Sequence, residues 1–126
     1  MAAAVGCSAV GMAFHTVREF GYSGLWSLDT GMLPVVAVQI FLFAVWWLSP
    51  RARTGAGIAL VLTGVLQLIG GAIISVLPLS FLPFVPEQSL SHYLSHVVLG
   101  ITQIPLIVVP LIGVRCQRIA SQNRSA

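Results

Sequence analysis

Four apolar blocks, separated by short polar or proline-rich stretches, divide the chain. They cover residues of about 2–20, 32–48, 57–79 and 91–114. As helices rising ~1.5 Å per residue, each is near the length needed to cross the ~30 Å of hydrocarbon in a bilayer. Within the last block the polar and small positions recur at helical spacing. His92, His96, Gly100 and Gln103 share one face, and Leu, Ile and Val fill the remainder. The first block carries a similar stripe of Ser8, Gly11, His15 and Arg18 or Glu19. The third carries Thr63, Gly64, Gln67, Gly70, Gly71 and Ser75, and the second contributes Gln39. Helices of this kind show apolar faces to lipid and turn their small and polar faces toward one another. The pattern predicts an all-α integral membrane protein, a four-transmembrane-helix bundle forming one domain over residues 1–126 with a polar tail at 115–126.

Counting inward from the helix ends brings particular residues to matched depths. His15, Ser75 and His96 share one level, Gly71 and Gly100 the next, and Gln67 and Gln103 one near the middle, with Gln39 a little above. Gln39, Gln67, Gln103 and Ser75 are therefore expected to form an interhelical polar layer, and Gly71 and Gly100 to be close-packing positions. Asp29 and Thr30 are candidate caps for the second helix, whose first turn tolerates Pro34. Pro105 and Pro110 each remove a backbone donor, which predicts a bend between residues 101 and 106. The proline-rich connector at 78–89 is expected to lie along the membrane surface.

Composition strengthens the membrane reading. Hydrophobic residues make up 57% of the chain and charged ones 7%, against about 25% charged in soluble domains. Mean hydropathy is +0.97. The basic residues are all arginine, and their positions matter more than the net charge of +3. With four spans, Arg51, Arg53, Arg115, Arg118 and Arg124 fall on one side and Arg18 alone on the other. The positive-inside bias then puts both termini in the cytoplasm of a multi-pass cell (plasma) membrane protein. Read as topology, this charge gives no ground for nucleic-acid binding. The same arrangement sends Glu19, Asp29, Glu87 and all three histidines to the outer side. Cys7 and Cys116 fall near the cytoplasmic ends and are read as free thiols. The first block lacks the basic segment and small-residue cleavage site of a secretory signal, so it is read as a span.

Little of this points to catalysis. No carboxylate lies deep in a block, and there is no defensible Ser-His-Asp order, phosphate-cradling glycine loop or dinucleotide fingerprint. The expectation is a non-enzymatic accessory or interaction subunit, partnered by the lipid bilayer and by further copies or a larger membrane complex, with no cofactor required. The alternative is an outward-facing metal- or haem-binding or proton-linked redox or transport protein. His92 and His96 stand at i and i+4, and His15 and Glu19 repeat that spacing, so each pair presents its ligand atoms on one helix face. Imidazoles at matched depth on two helices also suit a haem iron. In this arrangement His15 and His96 face the interior, Glu19 stands one turn above His15, and His92, at the helix entrance, is free to face water.

Overall fold

The computed structural model describes residues 1–80 and 85–125, apart from the side chains at 120, 121, 124 and 125. The described residues form four helices and no strand. These are α1 (Ala2–Phe20), α2 (Met32–Leu48), α3 (Arg53–Leu66) and α4 (Leu90–Ser125). A 3-10 turn at Tyr22–Trp26 follows α1. Beyond α3 the chain stays helical as a π segment, Gln67–Ile73, and a 3-10 turn, Ile74–Val76.

Side-chain packing shows successive helices running in opposite directions. At one end, Val5 of α1 and Leu60 of α3 meet Leu106 of α4, with Met1, Leu42 and Phe43 against them. At the other, Met12, Ala72 and Leu99 pack with Met32, Val35, Val36 and Leu68. The first end also seats Gly57 against Val114, and the Thr54 hydroxyl donates to Gln117 Oε1 at 3.2 Å. We call it the basic end, since it adjoins Arg51, Arg53 and Arg115, and the other the acidic end, which carries Glu19, Asp29 and Glu87. α4 packs chiefly on α1 and α3, and α2 closes the bundle against α3 and α1.

Two helical stretches, Arg53–Val76 of 24 residues and Leu90–Ile119 of 30, are long and apolar enough to cross a membrane. α2 is apolar but shorter, at 17 residues, and α1 ends in Arg18 and Glu19. Outward-facing positions include Phe41, Leu66 and Ile101, which are 65%, 70% and 60% exposed. The buried set, by contrast, mixes Leu60 and Leu106 with Ser8, Gln39, Ser95 and Gln103.

Those polar residues satisfy one another. Ser8 Oγ lies 2.8 Å from Gln103 Oε1 and 3.0 Å from Gln39 Oε1. A hydroxyl carries one hydrogen, so it donates to only one of them. Turning the Gln39 amide about its last bond lets Ser8 donate to Gln103 and accept from the Gln39 NH₂, which is otherwise buried without a partner. Gln103 Nε2 donates to the Leu99 carbonyl of its own helix at 3.3 Å. The layer thus ties α1, α2 and α4 through Ser8.

Several expectations change. Gln67 does not join the layer: it is half-buried, its Oε1 turned toward Gly71 of its own helix. Depth counting assumed 3.6 residues per turn, and the wider π winding from Gln67 onward rotates that register. The third helix starts at Arg53 and helical structure ends at Val76, where residues 57–79 were expected. α4 contains Pro105 and Pro110 and, where a polar tail was expected, stays helical as far as Ser125; Gln117, held by Thr54, anchors its extension. Neither Asp29 nor Thr30 caps α2. The Thr30 hydroxyl bonds back to the Gly24 and Ser27 carbonyls, and the chain enters α2 through Gly31 at φ 73°. Of the connector, residues 81–84 lie outside the described residues. Gly71 and Gly100 do sit between α3 and α4, against Leu99 and against Ala72 and Leu68. The closest approach, however, is at Gly11, where an added Cβ would collide with the Thr102 side chain.

Gly11→Ala should therefore destabilise the bundle by about 1–3 kcal/mol through overpacking. Gly113→Ala, on an open position, should be neutral or stabilising by up to about 1 kcal/mol. Reversible unfolding in mixed micelles measures both, and equal costs would argue against the α1–α4 contact. By the same assay Ser8→Ala should cost about 1–2 kcal/mol, because it strands two buried amides at once, and Gln67→Leu markedly less.

Candidate metal centre at the acidic end

Three helical elements build this site, each by a short-range rule. α1 presents His15 and Glu19, four residues apart and so stacked on one face. α4 presents His92, Ser95 and His96 in its first two turns, likewise on one face. The third element is the end of the α3 extension. There, where π winding passes into a 3-10 turn, the Gly71 carbonyl accepts from the side chains of Ser75 and His96.

The groups converge closely. The His15 and His96 rings lie 4.3 Å apart between centroids, edge to face, and His92 and His96 lie 4.5 Å apart. Glu19 Oε2 is 2.9 Å from His92 Nδ1, and Glu19 Oε1 accepts from the Ser95 hydroxyl at 2.8 Å. That hydroxyl also lies 3.4 Å from His15 Nδ1. His96 Nδ1 is 2.7 Å from the Gly71 carbonyl and 3.2 Å from Ser75 Oγ, and Ser75 itself bonds to the same carbonyl.

These contacts fix tautomers. A carbonyl only accepts, so His96 Nδ1 carries its hydrogen and, in the neutral ring, the lone pair sits on Nε2. His92 Nδ1 donates to a carboxylate, which puts its lone pair on Nε2 as well. Two imidazoles held by one nitrogen, the other left with a free lone pair, are the usual outer arrangement of metal-ligating histidines. His92 Nε2 is buried without any hydrogen-bond partner, an uncommon state for a buried polar atom in a folded protein.

Two sets of three ligand atoms lie within 4.8 Å of one another: His15, Glu19 and His96, and Glu19, Glu87 and His92. His15 and His96 thus meet the spacing that two ligands of one ion require, given metal–nitrogen bonds of about 2.0–2.1 Å. The residues fit a bare ion. They do not fit a haem between His15 and His96, because rings in edge contact leave no slot for a porphyrin. A cavity of about 270 Å³ opens onto the cluster, lined by all five ligating residues together with Ser75.

The structure brings together His15, Glu19, His92, His96 and Ser75, and it leaves Gln39, Gln67, Gln103 and Gly100 outside the cluster. His92 is not turned to water; it is buried against Glu19. Sequence reasoning passed over Ser95, the Gly71 carbonyl and Glu87. Ser95 was within reach of it, standing three residues after His92 on the same face. Glu87 lies outside any helix, where periodicity says nothing.

Searches against protein-family models, curated proteins and solved structures find no match to this chain.

Proposed function

We propose that the chain is an integral membrane protein of four spans with both termini in the cytoplasm, and that it works by binding rather than catalysis. On this reading its outward end holds one divalent transition-metal ion in the histidine–carboxylate site. The observation that carries the metal reading is the meeting of His15, Glu19 and His96 ligand atoms within 4.8 Å. A subunit that only packs against partners has no need of three touching imidazoles or of a buried, unpartnered ring nitrogen.

Membrane insertion is supported by the inside-out distribution of polarity: amides and hydroxyls are buried, and Leu, Ile, Val and Phe face outward on every helix. Only a solvent as apolar as lipid makes that arrangement favourable. Orientation is supported by the clustering of Arg51, Arg53, Arg115 and Arg118 at one end and of the acids at the other. α4, at 36 residues, exceeds the bilayer thickness, so its arginine-bearing C-terminal turns stand in the cytoplasm.

The donor set narrows the ion. Two imidazoles and a carboxylate with an open position suit Zn²⁺ and its borderline neighbours. No thiolate is at hand for softer ions, since Cys7 and Cys116 belong to the basic half.

Two measurements test this. With a membrane-impermeant thiol reagent on intact cells, Cys116 should stay unlabelled and a Gln88→Cys variant should label; labelling of Cys116 from outside would overturn the orientation. Purified protein should bind Zn²⁺, and His96→Ala should weaken binding at least ~100-fold, in line with loss of a ligand. Occupancy should fall on acidification, because a protonated imidazole has no lone pair to give. Zn²⁺ binding indifferent to both His96 and pH would refute the site.

A further inference from the structure

The two ligand sets are not two sites. They share Glu19, and they differ in depth and character. The set of His15, Glu19 and His96 is nitrogen-rich and faces the bundle interior, with His96 buried and His15 half-buried. The set of Glu19, Glu87 and His92 is oxygen-rich, and its Glu87 is exposed. Resting on the metal reading above, we infer that a single divalent ion is admitted at the Glu87–Glu19–His92 position and passed through the Glu19 carboxylate to the His15–Glu19–His96 position.

Electrostatics decides against holding both at once. Two divalent ions bridged by Glu19 would bring four positive charges close together, and only Glu19 and Glu87 are present to offset their repulsion. One ion shared between two positions needs no such compensation. Chemistry sets the order. The outer position offers an exposed carboxylate, which takes up a hydrated cation readily. The inner one offers two imidazoles, which bind borderline ions more tightly than carboxylates do. Glu19 can serve both because its oxygens are oriented separately, Oε2 toward His92 and Oε1 toward Ser95. His92 joins Glu19 and Glu87 in the outer set; its Nε2 is buried without a partner, and the residue borders the cavity that both sets share. Met12, Ala72 and Leu99 pack beneath the inner set. A second cavity of about 250 Å³ also reaches His15 and His96, but no carboxylate among the described residues lines it, so the route past Glu87 is the one that offers a cation charged oxygen.

The test uses the full-length protein in detergent, with Zn²⁺ as the probe, followed by equilibrium titration and by stopped-flow uptake against a chromophoric chelator. Wild type should bind one ion per chain. Glu87→Gln should keep that stoichiometry and slow uptake and release by about tenfold or more, with a smaller loss of affinity than His96→Ala. His15→Gln should leave weak, fast binding that disappears when Glu87→Gln is added; circular dichroism checks that each variant stays folded. Two ions per chain would overturn the inference, as would unchanged rates in Glu87→Gln or an affinity loss there as large as in His96→Ala. Absence of Zn²⁺ binding in the wild type would instead sink the metal reading itself.

Discussion

The antiparallel fit of α1 on α4 is the constraint on which the rest of the molecule depends. At Gly11 the backbone of α1 comes so close to Thr102 that no side chain fits between them. From that point the register propagates in both directions. One turn toward the basic end, Ser8 reaches Gln103. One turn toward the acidic end, His15 reaches Ser95 and His96, and a turn further on Glu19 reaches His92 and Ser95. Going up α1 from Ser8 to Glu19 is matched by going down α4 from Gln103 to His92, eleven residues on each helix. A side chain at position 11 would part the helices and open the Ser8 bond and the Glu19 cluster together.

The polar contacts then follow from what surrounds them. On the membrane reading, water is not available to serve an amide or imidazole in the bundle interior, so each must be answered by protein. Ser8 answers Gln103 and Gln39, the Gly71 carbonyl answers His96, and His92 and Ser95 answer Glu19. The π segment contributes here through the Gly71 carbonyl, which takes the His96 ring and the Ser75 hydroxyl together. Within the acidic-end cluster, His92 Nε2 is buried and left unanswered by protein. In a cluster otherwise so fully paired, that exception marks where a ligand belongs.

How far the sequence revealed this differed from residue to residue, for physical reasons. The ranges of α1 and α2 were legible because hydrophobic blocks end where the chain must turn, at Gly21 and at Ser49-Pro50. The convergence of His15, Ser75 and His96 was legible because a shared depth on small-faced helices leaves few other arrangements. Gln67 was misplaced because π winding has no signature in residue type and alters the rotation of everything after it. The extension of α4 was hidden by polarity: Arg115–Ser125 reads as a tail, yet a helix already formed propagates cheaply once nucleated. Glu87 was invisible as a ligand because it enters through an irregular connector, where spacing along the chain does not map onto spacing in three dimensions.

The interior has a direction. At the acidic end stand ligand atoms with free lone pairs and a cavity reaching an exposed carboxylate. Toward the middle the polar groups bond only to each other, through Ser8, and offer nothing to a passing cation. Toward the basic end Val5, Leu60 and Leu106 fill the centre, the last two wholly out of contact with solvent. A cation moving that way would exchange imidazole and carboxylate for closed hydrogen bonds and then for hydrocarbon, each step costlier than the last. The bundle is therefore built as a cup rather than a conduit. On the proposed metal reading, an ion bound at the acidic end would be held and returned on the same side, as a hand-over role requires and passage through the bundle does not.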